Sequence, residues 1–103
     1  MRLLTRKYIV FSCTKHSSAK TRLQAFVAEI EAATWNKPSD IIAAYPTADV
    51  ISGKRFVFNI KGNQFRLIAD VDFKRELFFV VWFGTHAEYD KLDVLTVTHV
   101  KNY

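Results

Sequence analysis

Between Lys54 and Phe83 apolar side chains recur at alternate positions, and this constrains the fold more than any other feature of the chain. Phe56, Phe58 and Ile60 alternate with Arg55, Val57, Asn59 and Lys61, the pattern of a strand with one face on a core. Gly62-Asn63 is a turn signal. A second strand follows through Phe65, Leu67, Ala69 and Val71, and Phe73-Lys74-Arg75-Glu76 makes the next reversal. The run LFFVVWF that comes next is almost continuously apolar, as expected of a strand covered on both faces. Gly84 ends it. The three runs predict a small antiparallel meander.

Upstream the period changes. MRLL reads as a short first strand. The next segment, through His16, predicts a helix with Leu4, Tyr8 and Phe11 on one stripe, although Tyr8, Val10 and Phe11 are also β-formers. Leu23, Phe26, Val27 and Ile30 fall on one helical face, which predicts a helix from Ser18 to Ala33 capped by Ser17 or Ser18. Pro38 disfavours helical geometry at Lys37 and breaks the pattern. Ser39 or Asp40 then starts a brief helical turn through Ala44, and YPTADVISGK is a connecting loop. After the meander, Thr85 is suited to cap a short helix containing Ala87, Glu88 and Tyr89. The tail DVLTVTHVKNY reads as a helix or an extra strand, its β-branched residues favouring extension. Helices first and an antiparallel sheet after them make an α+β fold, and 103 residues make one domain.

Composition narrows the function. Half the residues are apolar and 15% are aromatic, which excludes a disordered chain. A net charge of +5 points to an acidic partner: nucleic acid, an anionic membrane or an acidic protein. Ordinary solubilising charge is the plain alternative. Cys13 is a lone cysteine, so no intramolecular disulfide forms and a reducing cytoplasm suits the chain. It reads as a core or half-buried thiol. His16, His86 and His99 have no Cys or carboxylate at metal-ligand spacing, so neither a metal nor another cofactor is expected. No stretch has the continuous apolar core of a signal peptide or a bilayer span.

The cations are the residues that need explaining. Arg66 interrupts a strand, on the same face as Gln64 and Ile68. It is either a snorkelling or salt-bridged strand arginine or a guanidinium fork aimed at phosphate. His86 lies where the chain leaves the sheet, placed for general acid–base work or merely to cap the turn. Tyr89 is three residues on, able to stack on a base or simply to pack. Lys61 and Lys91 add positive potential, or are solvated surface charges. No Walker loop, nucleophile elbow or metalloprotease motif is present. The weak signals share one chemistry, metal-free cleavage of RNA by its own 2′-hydroxyl. That reaction needs a base, an acid and cations for the growing negative charge.

Ile60-Lys61-Gly62-Asn63, Phe65-Arg66-Leu67-Ile68 and Gly84-Thr85-His86-Ala87-Glu88-Tyr89-Asp90-Lys91 occur in order, behind an amphipathic helix, Trp35, Pro38-Ser39-Asp40 and Tyr45-Pro46-Thr47-Ala48-Asp49. Together they resemble the HigB-type toxins of bacterial type II toxin–antitoxin systems, within the RelE/ParE superfamily. Phe65 stands where that family usually has tyrosine. The resemblance spans nearly the whole chain and implies a RelE-like fold with N-terminal helices packed on a small antiparallel sheet. It implies a bacterial, cytoplasmic mRNA interferase that cuts message on translating ribosomes. A HigA-type helix-turn-helix antitoxin would silence it, with operator DNA bound only through that antitoxin and no membrane involved. It implies Arg66 on the phosphate, His86 as general acid or base and Tyr89 on the nucleotide. Lys61, Lys91, Asn63 and, more weakly, Arg55 would contact RNA. Two other classes fit the same residues: a ParE-like inhibitor of gyrase that cuts nothing, and a basic RNA-binding module.

Overall fold

A computed structural model describes residues 1–98. The chain opens with β1 (Arg2–Leu4), then α1 (Arg6–Lys15), a 3-10 turn at Ser17–Ala19, α2 (Lys20–Ala32) and α3 (Pro38–Ala44). The sheet follows as β2 (Asp49–Val50), β3 (Arg55–Ile60), β4 (Phe65–Asp72) and β5 (Leu77–Thr85), and α4 (His86–Tyr89) closes the regular structure. The α+β reading holds, with one correction of topology. The sheet has the order β1-β5-β4-β3-β2, and β1 pairs parallel to β5, so it is mixed rather than antiparallel. The three N-terminal helices provide the crossover that a parallel partner requires.

Several local expectations shift. The predicted connecting loop after Ala44 contains β2, which pairs with β3 through Asp49–Val57 and Val50–Phe56. β5 continues past Gly84 to Thr85. The second helix is preceded by a 3-10 turn, and neither Ser17 nor Ser18 gives it a side-chain cap. α3 starts at Pro38 itself, with Lys37 extended before it, because proline is pre-shaped for the first helical position. The buried side of α1 is Tyr8, Ile9, Ser12 and Cys13, so Phe11 points outward. In the tail neither helix nor strand forms through residue 98, and residues 99–103, including His99, lie outside the described part.

The core lies between the helices and one face of the sheet. Leu23, Phe26, Val27 and Ile30 of α2 pack with Phe56, Phe58, Ile60, Phe65, Leu67, Phe78 and Val80. Where β1 stops pairing, side chains finish the edge of β5. Thr5 Oγ1 accepts from Val80 N and donates to its carbonyl. The Tyr8 hydroxyl does the same for Phe83, at 2.8 and 3.2 Å. Buried backbone groups need such partners, and α1 is thereby fixed to the sheet.

The other face of the sheet is smaller and has its own cluster, Val57, Ile68 and Val81, with Ile51, Phe79, Trp82, Tyr89, Leu92, Val94 and Val97 packed on it. A bulge between Ile68 and Ala69 of β4 sets its composition. Ala69 pairs with Val80 and Ile68 with Trp82, so Val81 is an extra residue in β5. Val81 and Trp82 consequently share the outer face, which explains why the LFFVVWF run looks buried on both sides.

Candidate active site

The site is built at one end of the outer face. Phe65 and Leu67 belong to the core, so Arg66 between them projects outward. Its neighbours across the strands are Asn59 on β3 and Gly84 on β5. Arg66 is half-buried, and its guanidinium carbon lies 5.9 Å from the centre of the Tyr89 ring, a cation–π distance. Among the described residues no carboxylate forms an ion pair with Arg66, and its guanidinium makes one hydrogen bond, a 3.5 Å contact to the Phe65 carbonyl.

Tyr89 reaches this position because α4 leaves β5 through a complete capping box. Thr85 Oγ1 accepts from Glu88 N at 3.1 Å, and the Glu88 carboxylate accepts from Thr85 N at 2.9 Å. The predicted cap is therefore present. The Thr85 backbone N–H, more than any other neighbour, holds the Glu88 carboxyl below its ordinary range. Tyr89 leans on Trp82, with ring centres 6.3 Å apart. Burial, reinforced by the Asp49 carboxylate, pushes its phenol up from the usual tyrosine value, against the lowering effect of Arg66. It stays a neutral hydrogen-bond donor at neutral pH.

His86 is the first residue of α4, and its N–H donates to the Gln64 carbonyl at 3.0 Å. That bond ties the β3–β4 turn, with Asn63 exposed on it, to the start of the helix. The His86 ring is half-exposed, with Nδ1 3.0 Å from Asp90 Oδ2. A proton on Nδ1 facing Asp90 leaves Nε2 with a free lone pair, and such a second partner orients an imidazole for proton transfer.

The seven candidates separate. Arg66 and Tyr89 are in contact, and His86 lies one helical turn before Tyr89 on the same rim. Lys91 follows that turn, exposed. Lys61 and Asn63 sit on the β3–β4 turn, but Lys61 Nζ bends to the helix layer and donates to the Ser18 carbonyl at 3.0 Å. With Arg22, Asn59 and Pro46, both line a cleft of about 520 Å³ at the β2 edge. Arg55 is held elsewhere. Its Nε and Nη2 grip Asp70 at 2.7 and 2.9 Å, and Nη1 donates to the carbonyls of Val94 and Val97. Its fork serves the C-terminal segment.

Sequence reasoning passed over Trp82, Asn59 and Asp90. Asp90, four residues after His86, carries a readable signal, the i, i+4 spacing on a helix. Trp82 and Asn59 do not, since only the bulge and the strand register bring them beside Tyr89 and Arg66. Among the described residues no group of His, Cys, Asp and Glu is arranged to hold a metal ion, and no helix is long and apolar enough to cross a membrane.

Comparison with known proteins bears on this geometry. Residues 19–92 match the family model HigB_toxin, described as the RelE-like toxic component of a toxin–antitoxin system. The mRNA interferase toxin HigB of Escherichia coli K12 is 33% identical over 92 residues, covering 87% of this chain and 88% of that protein. The mRNA interferase HigB of Shigella flexneri shows the same identity and coverage. The mRNA interferase HigB of Escherichia coli O6:H1 is 31% identical over 80 residues, 76% of this chain and 78% of that relative.

Proposed function

Because this chain belongs to the HigB family of RelE-like toxic components of toxin–antitoxin systems, we propose that it is a messenger-RNA endoribonuclease working at the Arg66 end of the outer face. One observation supports this reading above the rest. Arg66 is an arginine without a carboxylate partner among the described residues, braced on Tyr89, which stands one helical turn from the half-exposed His86 imidazole. Such a fork is available for a phosphodiester.

The reaction is metal-free. His86 Nε2 takes the proton of the 2′-hydroxyl, whose oxygen then attacks the adjacent phosphorus. Arg66 donates to the non-bridging oxygens as negative charge builds on them, where a preorganised cation lowers the barrier most. The 5′-oxygen leaves and takes a proton from water while the His86 imidazolium returns its proton to solvent, giving a 2′,3′-cyclic phosphate and a 5′-hydroxyl. Tyr89 positions Arg66 from one side and offers its ring edge and hydroxyl to the nucleotide. Lys91, Lys61 and Asn63 contribute field and phosphate contacts along the rim. Arg55 is structural. Cleavage takes place on translating ribosomes in the bacterial cytoplasm, and a HigA-type helix-turn-helix antitoxin, which also reads operator DNA, restrains it.

The test is growth arrest on induction, compared for wild type, Arg66→Ala and His86→Ala, with primer extension on a translated message. Discrete cuts that vanish in both folded variants support the nuclease. Arrest that survives in His86→Ala without any cuts would move the chain to the gyrase-inhibitor class and leave Arg66 a binding residue.

A further inference from the structure

One carboxylate stands on the outer face beside groups suited to an anion. Ala48 is buried in the inner core, so its neighbour Asp49, on the edge strand β2, projects to the opposite side. The partner of Asp49 on β3 is Val57, a member of the outer cluster on which Tyr89 packs, and directly paired residues share a face. Asp49, Asn59, Arg66 and Tyr89 therefore lie on one side of the sheet. Asn59 Nδ2 donates to the Thr47 carbonyl at 3.3 Å, which ties the chain just before Asp49 to the strand next to Arg66. After burial itself, the Asp49 carboxylate is the strongest influence on the Tyr89 phenol, ahead of Arg66, consistent with a place toward the hydroxyl end of that ring. Asp49 is exposed, and among the described residues it forms no ion pair with Arg66 or with any other cation.

A lone carboxylate near a phosphate site repels the phosphate. It serves the site only if the substrate brings hydrogen-bond donors to it. RNA carries such donors on its 2′-hydroxyls and on the N–H groups of its bases, and in the proposed reaction the attacking hydroxyl belongs to His86. We propose that Asp49 reads a guanine beside the phosphate that Arg66 holds. The Watson–Crick edge of guanine presents N1–H and the N2 amine side by side, one for each oxygen of an ionised carboxylate. Adenine and cytosine each offer one amine next to a bare ring nitrogen, whose lone pair opposes the second oxygen. The single N–H of uracil lies between two carbonyls. Only guanine matches both oxygens. The inference rests on the nuclease reading and adds its base preference.

The experiment induces the full chain, wild type or Asp49→Asn, and maps the 5′-hydroxyl ends of cleaved messages. Wild type should show guanine enriched at one fixed position beside the cut. An asparagine amide offers one acceptor and one donor, which suits adenine or cytosine. Asp49→Asn should therefore lower cutting at guanine sites at least about tenfold relative to adenine or cytosine sites. Circular-dichroism melting shows that the variant folds, which an exposed position favours. The same base pattern in both proteins would overturn the proposal. So would an equal loss of cutting at all sites in folded Asp49→Asn, since Asp49 would then act on the 2′-hydroxyl or through Tyr89. Binding to 2′-fluoro RNA hexamers, which lack the attacking hydroxyl, is read in parallel by fluorescence anisotropy on the purified chain. Inosine in place of a single guanosine removes the N2 amine. It should weaken binding to wild type at least about threefold and make little difference to Asp49→Asn. 7-Deazaguanosine keeps the Watson–Crick edge and should bind as guanosine does. Equal affinity of wild type for the guanosine and inosine hexamers would overturn the proposal. A wild type that cuts nothing yet separates the two hexamers would refute the nuclease and uphold the recognition of guanine by Asp49.

Discussion

Arg55→Ala separates a structural arginine from an RNA-binding one. In the wild type the Arg55 and Asp70 side chains are 11% and 23% exposed, across adjacent strands, and joined by two parallel hydrogen bonds. Asp70 bonding holds the guanidinium above its ordinary value, so the fork stays charged throughout the working range. Truncation leaves Asp70 half-buried without its counter-ion and releases the carbonyls of Val94 and Val97. Breaking a fully buried pair costs about 3–5 kcal/mol, and partial solvent access reduces this to about 2–4 kcal/mol. For a domain of this size that corresponds to a fall in Tm of roughly 10–25 °C. Urea denaturation measures the loss. Arg55→Lys should recover less than half of it, because an ammonium cannot reproduce the fork. Arg55→Leu combined with Asp70→Leu should recover more, because no charge is stranded. An Arg55→Ala chain with wild-type stability and weakened RNA binding would refute the structural assignment and make Arg55 an RNA contact.

Two other perturbations test how the site is held. In Gly84→Ala the new Cβ would lie 2.6 Å from the Trp82 ring and 2.9 Å from Glu88 Oε1. The ring must swing off Tyr89, at a cost of about 1–3 kcal/mol, with a change in Trp82 fluorescence read in a Trp35→Phe background and impaired RNA cleavage. Glu88 has a folded pKa below its ordinary 4.5, so its stabilising effect is present above that value and is lost as pH falls through the lowered one. Glu88→Gln should flatten the acid limb of the stability–pH curve below pH 4.5.

Most of the fold is legible in the alternation and the helical stripe, because those patterns record which residues meet the core. What stays hidden depends on partners distant in sequence. β2 is a two-residue strand, too short for any period, and exists because Asp49 and Val50 find β3. The parallel pairing of β1 with β5 has no local signature. Leu4 ends β1 and is no part of α1, so the stripe through Leu4, Tyr8 and Phe11 runs oblique to the buried side, which it shares only at Tyr8. Arg55 and Arg66 look alike in the sequence, each an arginine flanked by strand residues. The β3–β4 register distinguishes them by setting Arg55 opposite Asp70 and Arg66 opposite Asn59. Among the described residues one arginine is neutralised by a carboxylate and the other is not.

The bulge in β5 sets what surrounds Arg66. Strict alternation after Phe78 and Val80 would send Trp82 and Gly84 into the core and turn Phe83 and Thr85 outward. The extra residue Val81 reverses the parity, so Phe83 is buried and Trp82 and Gly84 face outward. Gly84 then lies directly across from Arg66 and presents no side chain, which gives the Trp82 ring room to lie over it. Trp82 in turn supports Tyr89, and Tyr89 supports the guanidinium. A strand without the bulge would keep Arg66 in place but bury its aromatic bracing on the wrong side of the sheet. The same change of parity sets the direction in which β5 hands the chain to Thr85, and therefore where α4 presents His86. The phase of one strand thus determines where Tyr89 and His86 stand relative to Arg66, although that strand contributes none of the groups that would touch the phosphate in the proposed chemistry.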